Sequence, residues 1–355
     1  MVWMKKTISL KVDAQEPDIE KIRVAAGLVR RGGLVAFPTE TVYGLGADAL
    51  NSKAVLALFD AKKRPLDNPP IVHVGYVRDV QWLVEDVSSE AEKLMREFWP
   101  GPLTLIFRRS KIVPEVTVAG LDTIAIRMPR HNVALALIRE SMCPISAPSA
   151  NLAGKPSPTL AKHVLDDLNG RIDAVLDAGP TKIGVESTVL DLTVNPPQVL
   201  RPGGTPFELL KRALGKVELN PVVTAEKPLP VEKARSPGVK HKHYAPHADV
   251  VVVEGELTDV VEKVVELTAF YKRMGSTVGI LCTDETAGYY DADVVKSLGT
   301  RSDLADVARN LFRLLREFDL EKVDVIVAEG LPLEGLGLAV MNRLRKAAGY
   351  NIVKA

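Results

Sequence analysis

Two hydrophobic periods alternate along this chain. Stretches with apolar residues three and four apart, the spacing of one helix face, are separated by short apolar runs of strand length. The pattern predicts a helix over 18–31, stopped by Gly32-Gly33. A buried strand at 34–37 follows, then a loop over 39–46 with two flexible glycines. Ser52 is placed to cap a helix running to about residue 62, and Ser89-Glu90-Ala91-Glu92 reads as a capping box that opens another. Strands are expected at 103–107, 123–127, 174–176, 187–192 and 198–200, and helices at 132–139, 160–168 and 207–214. Pro144 and Pro148 leave 145–151 irregular.

Residues 216–248 change character. Pro221, Pro228, Pro230, Pro237 and Pro246 interrupt regular structure, which reads as a long linker. The alternation then restarts: strands at 250–253, 277–281 and 323–328, helices at 257–271, 304–318 and 338–348. That is a small doubly wound α/β pattern. Its loop 329–337 is glycine-rich but lacks dinucleotide-fingerprint spacing. A chain of 355 residues exceeds one ordinary core. The expected division is a domain over 1–215, the linker over 216–248, and a second domain over 249–355.

Composition narrows the class. With 46% hydrophobic and 26% charged residues the chain is globular, and its net charge of +1 argues against coating nucleic acid by bulk electrostatics. No apolar run is long enough to span a bilayer. The start of the chain lacks a signal-peptide pattern, so a cytoplasmic location without membrane association is expected. Cys143 and Cys282 are far apart in apolar contexts and read as buried thiols; no Cys/His spacing resembles a zinc site.

Candidate chemistry gathers in the first 205 residues. Lys62-Lys63-Arg64 ends a predicted helix and is followed by Pro65 and Pro69-Pro70. On extended backbone, alternate residues share a face, which would turn Lys62 and Arg64 to one ligand and Lys63 away. A point charge beside a planar fork suits a polyphosphate, although cations at a helix C-terminus also favour the macrodipole alone. Thr39, His73, Thr123, Arg127, Ser149, Asn151, Ser157, Ser187 and Arg201 fall at predicted strand ends or in loops. Arg127 suits a carboxylate or phosphate, or an edge ion pair; Ser149-Ala150-Asn151 offers a hydroxyl and an amide, or a simple turn.

Taken together, Pro38-Thr39-Glu40-Thr41-Val42-Tyr43-Gly44-Leu45, Lys62-x-Arg64, Ser149-x-Asn151 and Arg201-Pro202-Gly203 resemble the YrdC-like threonylcarbamoyl-AMP synthases over about residues 18–211. The second domain and the His-Tyr linker resemble the family's two-domain archaeal and eukaryotic-type branch. The resemblance implies a YrdC-like twisted open α/β sheet with a basic concave cleft, plus a smaller Rossmann-like doubly wound domain. It implies that L-threonine, bicarbonate (or carbon dioxide) and ATP become L-threonylcarbamoyladenylate and pyrophosphate. That product serves threonylcarbamoyladenosine formation beside the tRNA anticodon. Lys62, Arg64, Ser149 and Asn151 would form the catalytic motifs. Lys62, Arg64, Thr123, Ser149, Ser157, Arg201 and Ser236 would hold ATP, and Thr39, His73, Arg127, Ala147 and Ser187 threonine.

Threonine's carboxylate suits bidentate capture by Arg127. No covalent nucleophile stands out, so positioning and charge stabilisation carry the chemistry. Mg2+ would ride on the phosphates without a dedicated protein site. The basic, aromatic segment containing His243 and Tyr244 would gate the cleft. Partners would be the small-molecule substrates and the tRNA threonylcarbamoyl-transfer machinery downstream, with direct tRNA contact left open. Three rivals stand beside this reading: an RNA-binding cleft without chemistry, carbamoyl transfer in hydrogenase maturation, and a metabolite sensor. Two cysteines are too few for the zinc fingers of the second.

Overall fold

The computed structural model describes residues 6–229 and 244–355. In chain order it begins with β1 (Ile8–Lys11), α1 (Ile19–Arg30), β2 (Val35–Pro38), β3 (Tyr43–Asp48), α2 (Ser52–Lys62), β4 (Val72–His73), α3 (Val80–Leu83) and α4 (Ser89–Phe98). Next come β5 (Leu103–Arg108), β6 (Thr123–Arg127), α5 (Asn132–Ser141), β7 (Ile145–Ser146), α6 (Ala161–Leu168) and β8 (Ala174–Asp177). β9 (Thr188–Asp191), β10 (Gln198–Arg201), α7 (Phe207–Leu214), β11 (Glu218–Leu219) and α8 (Pro221–Thr224) complete the first part. The second comprises β12 (Asp249–Glu254), α9 (Leu257–Arg273), β13 (Val278–Cys282), β14 (Val294–Ser297), α10 (Leu304–Glu321), β15 (Val325–Glu329), α11 (Leu336–Ala347) and β16 (Ile352–Lys354). No helix among the described residues is long and apolar enough to cross a membrane.

The first eleven strands form one mixed sheet, β1-β8-β2-β3-β7-β4-β6-β5-β9-β10-β11. The other five form a parallel sheet, β14-β13-β15-β12-β16. Strand alternation assigns that sheet's two faces. Val251, Val253, Ile280 and Val327 pack with Val260 and Val264 of α9. Val250, Val252, Leu281 and Ile326 pack with α10 and α11, in a core that also takes in Val42 and Val185 of the first part. α10 and α11 therefore lie between the two sheets, and one hydrophobic core joins them.

Local chemistry explains the element ends. Asp18 caps α1 through the amides of Glu20 and Lys21, and Asn51 rather than Ser52 caps α2 through those of Lys53 and Ala54. Ser88 rather than Ser89 caps α4. The expected loop over 39–46 is largely a strand: β3 pairs antiparallel with β2. Its glycines serve packing instead of flexibility, since a Cβ at Gly46 would lie 2.9 Å from both Phe37 and Ile145. The expected linker also begins with structure. β11 pairs parallel with β10, and α8 meets α11 where Asn342 donates to the Val223 carbonyl at 2.9 Å.

Candidate active site

A cavity of about 240 Å³ opens where the 39–44 hairpin, the end of α2, the ends of β4 and β6, the 147–155 loop and the β9–β10 pair converge. Its lining includes Thr39, Lys62, Arg64, His73, Arg127, Ala147, Ser149, Asn151, Ser187, Arg201 and Tyr244, all singled out from the sequence. Two expected residues do not line it. Thr123 sits at the far end of β6 from Arg127, paired with Arg108. Ser157 is one contact behind the wall, donating to Glu186 Oε1 at 2.6 Å. Ser236 and His243 lie outside the described residues.

The Lys-Lys-Arg run is not extended. Lys62 is the last residue of α2, and Lys63 is its left-handed C-cap at φ 52°. Lys62 is therefore carried inward by the helix, to 1% exposure. Its ammonium donates to the backbone carbonyls of Ser149 and Asn151, tying the helix end to the loop opposite. Burial, then the neighbouring Arg64 charge, holds its pKa well below the usual lysine value. Lys63 is exposed and lines the mouth instead of facing away. The alternation expectation fails because neither residue has strand geometry.

Arg64 is partly buried and turned by its own loop. Its Nε donates to the Asn68 carbonyl at 2.9 Å and Nη2 to Asn68 Oδ1 at 2.7 Å. Burial lowers its pKa to about 10. Arg201 grips Ser187: Nε and Nη2 donate to the Ser187 carbonyl at 3.1 and 2.9 Å, and Nη2 to its Oγ at 3.1 Å. Thr104 holds the same hydroxyl from the other side at 2.8 Å.

Arg127 is more occupied than the sequence indicates. Nη2 lies 2.7 Å from Glu40 Oε2, Nη1 donates to Thr41 Oγ1 at 3.0 Å, and Nε donates to the Gly101 carbonyl at 3.1 Å. Nε and Nη1 each give one hydrogen bond, and Nη2 is ion-paired with Glu40 without forming one, so bidentate capture of a carboxylate falls to the N–H groups of Nη1 and Nη2 that remain. Thr39 donates to the Val42 carbonyl at 2.7 Å and shares a hydrogen bond with Thr41. His73, buried beside Phe37, has its pKa lowered to about 3, by burial first and by Arg127 second. It is a neutral imidazole at ordinary pH. Asn151 donates its amide to the Leu152 and Lys155 carbonyls, which leaves a buried Oδ1 with no hydrogen-bond partner among the described residues.

Three functional neighbours escaped the sequence reading: Thr41, Glu40 and Glu186. Thr41 and Glu40 stand inside a quoted motif, two and one residues after its Pro-Thr. Glu186 directly precedes Ser187 and belongs to none of the quoted motifs. Glu186 lines the cavity, and its pKa is pulled to about 2 against the opposing cost of burial, chiefly by Arg343 and then Arg201. Tyr244 stacks on Phe312 with ring centres 5.2 Å apart and closes one side of the cavity. The arrangement crowds cations and polar groups about a small space, where an anionic ligand would relieve their mutual repulsion.

Two family models match consecutive parts of the chain. A family model for the Sua5, YciO and YrdC domain, described as telomere recombination, matches residues 27–203. One described as the threonylcarbamoyl-AMP synthase C-terminal domain matches 207–349. The threonylcarbamoyl-AMP synthase of Pyrococcus abyssi is 52% identical over 334 residues, spanning 94% of this chain and 96% of that protein. The Bacillus subtilis protein of that name is 49% identical and spans 94% of each, so the long form extends to a bacterium. The crystal structure of P. abyssi Sua5 complexed with L-threonine superposes with a TM-score of 0.93 at 51% identity, covering 98% of this chain and 100% of that one.

Proposed function

The chain belongs to the threonylcarbamoyl-AMP synthase family, and from that premise we propose that its cavity converts L-threonine, bicarbonate and ATP into L-threonylcarbamoyladenylate and pyrophosphate. The observation that carries this reading is the convergence of Lys62, Arg64, Arg127 and Arg201 on one cavity also lined by Thr39, Ser149 and Ser187. Such a cavity suits an amino-acid carboxylate, bicarbonate and a triphosphate held close together.

In this reading the threonine amine, once deprotonated, attacks the bicarbonate carbon. The C–N bond forms, water leaves, and a carbamate results. A carbamate oxygen then attacks the α-phosphorus, and the bond to the bridging oxygen breaks to release pyrophosphate. Thr39, His73, Arg127, Ala147 and Ser187 hold threonine, with the free N–H groups of Arg127 on its carboxylate. Lys62, Arg64, Ser149, Asn151 and Arg201 face the nucleotide, with Ser157 behind them; Ser236, outside the described residues, joins the nucleotide set on the resemblance alone. Preorganised donors at the triphosphate stabilise the charge that moves onto the leaving group.

Glu186, the carboxylate in the lining, is committed to Arg343 and Ser157. Mg2+ therefore fits as an ion carried in on phosphate oxygens, where it offsets their charge. Thr123, paired with Arg108 and outside the cavity lining, stays in the proposed ATP set on the resemblance alone. The working division remains a catalytic domain at 1–215, a connecting segment at 216–248 and a second domain at 249–355. Tyr244, which lines the cavity, shields the labile carbamate from water, and the resemblance adds His243 to the same role. The product supplies threonylcarbamoyladenosine modification of tRNA next to the anticodon, in the cytoplasm. The test is pyrophosphate release from ATP that requires both threonine and bicarbonate; no release with both present overturns the reading.

A further inference from the structure

Two arginines of the second domain reach into the walls of the cavity. Arg343 of α11 has no exposed surface. Its Nε donates to Glu186 Oε2 at 3.0 Å, Nη2 lies 3.0 Å from the same oxygen, and Nη1 donates to the Pro202 carbonyl. Glu186 directly precedes Ser187, and Pro202 directly follows Arg201. One guanidinium therefore spans the ends of β9 and β10 where the cavity's serine and arginine are placed. Glu186 passes the contact on through Oε1, which accepts from Ser157 at 2.6 Å.

Arg316 of α10 makes a parallel contact on the other wall. It donates to the Pro156 carbonyl at 2.6 Å and to Asp167 at 2.8 Å. The same aspartate holds Lys155 of the cavity lining at 3.0 Å. Between the two arms the domains are in backbone contact: a Cβ at Gly184 would lie 2.4 Å from the Cα of Arg309 in α10. Most of the threonine side is built differently. Thr39 and Arg127 are held by Thr41, Val42, Glu40 and Gly101, all of the first domain, and Ser187 alone of the proposed threonine set adjoins the braced strand ends, through Glu186 and Arg201.

We propose that Arg343 is a positioning residue for the nucleotide half of the site, acting through Glu186 on Ser157 and through Pro202 on Arg201. The second domain is thereby a brace for ATP binding, with Arg316 as its other arm. This rests on the function proposed above for the same cavity.

The test uses the full chain, with calorimetric binding of L-threonine and of Mg-ATP measured separately, and KM for each measured by pyrophosphate release. Arg343→Met is expected to weaken ATP binding roughly tenfold or more while threonine, which meets the braced strands through Ser187 alone, loses no more than about threefold. Arg343→Lys restores the charge without the fork and should recover part of the loss. Glu186→Gln, which removes the acceptor charge, should produce the same one-sided loss even if Arg343→Met does not fold. Equal losses for both ligands, or none for ATP, overturn the proposal. The binding split needs no turnover, so a native chain that binds both ligands but releases no pyrophosphate overturns the function and leaves the brace to be decided by the split.

Discussion

Around the first sheet, Lys62, Arg127 and Arg201 are buried beside open space. In the second, Glu329 and Glu254 are buried against partners that fill it. Glu329, at the carboxyl end of β15, accepts from the Tyr290 hydroxyl, from the Thr283 amide at 3.2 Å and from Thr283 Oγ1 at 3.1 Å, with Arg301 Nη1 at 3.5 Å. Arg301 also donates to the Gly330 carbonyl at 2.9 Å. Glu254 takes both arms of Arg345 at 2.7 and 2.8 Å. Parallel sheets often bind ligands beyond their strand ends. Here that end of the second sheet is closed by a carboxylate and its own donors. Glu329 and Glu254 have their carboxylate oxygens paired, whereas at the cavity Arg127 Nη2 and Asn151 Oδ1 are buried without a hydrogen-bond partner among the described residues.

The sharpest way to break this contrast is Lys62→Met. Losing the ammonium that joins α2 to the 149–151 loop should lower pyrophosphate release about 100-fold or more, in the range seen for preorganised donors. Release within a few-fold of native would show that the buried cation is only structural. Next in size is Arg127→Met, which leaves Glu40 buried and unpaired. Urea denaturation should show roughly 3–5 kcal/mol lost, much of it recovered when Glu40→Gln is added.

Acid titration sharpens the comparison further. His73 and His163 have folded pKa values of about 3 and about 4, below the ordinary 6.5. The unfolded chain therefore takes up protons first, and stability falls as pH drops through 6.5 toward those values. Glu186 sits at about 2 against an ordinary 4.5, so its contribution is full above 4.5 and is lost toward 2. Each group adds a slope of about 1.4 kcal/mol per pH unit inside its window. His73→Gln should flatten the urea midpoint between pH 6.5 and 4.5, and Glu186→Gln below 4.5. A profile unchanged by either places the acid sensitivity elsewhere.

In the second sheet, Glu329→Gln should cost about 1–3 kcal/mol of stability while leaving KM for ATP within about twofold. A larger KM effect would make that strand end a ligand site after all. Smallest of all, Lys63→Ala at the exposed cavity mouth should change turnover by less than about threefold, as for a solvated charge.

Much of this was legible in the chain. β6 and α7 occupy the expected residues, 123–127 and 207–214, because a short apolar run and a three-four pattern each have one good solution. The two-residue strands β4 and β7 were not legible, since two residues carry no period. β3 was missed because glycines read as freedom when they mark close approach to Phe37 and Ile145. Cavity residues at strand ends were found by their chemistry, while Thr123 stands at the end of β6 away from the cavity lining.

The sequence by itself determined the two α/β patterns, their order, and most side chains that face the cavity, since periodicity and residue chemistry are local properties. Tertiary structure decided how those side chains are engaged. Lys62 holds two carbonyls 87 and 89 positions away, Arg127 is shared with Glu40, and Arg343 reaches Glu186 across 157 positions. Such pairings depend on which elements pack together. No local pattern encodes a partner that distant, because the chain between them can close in many ways until the core selects one.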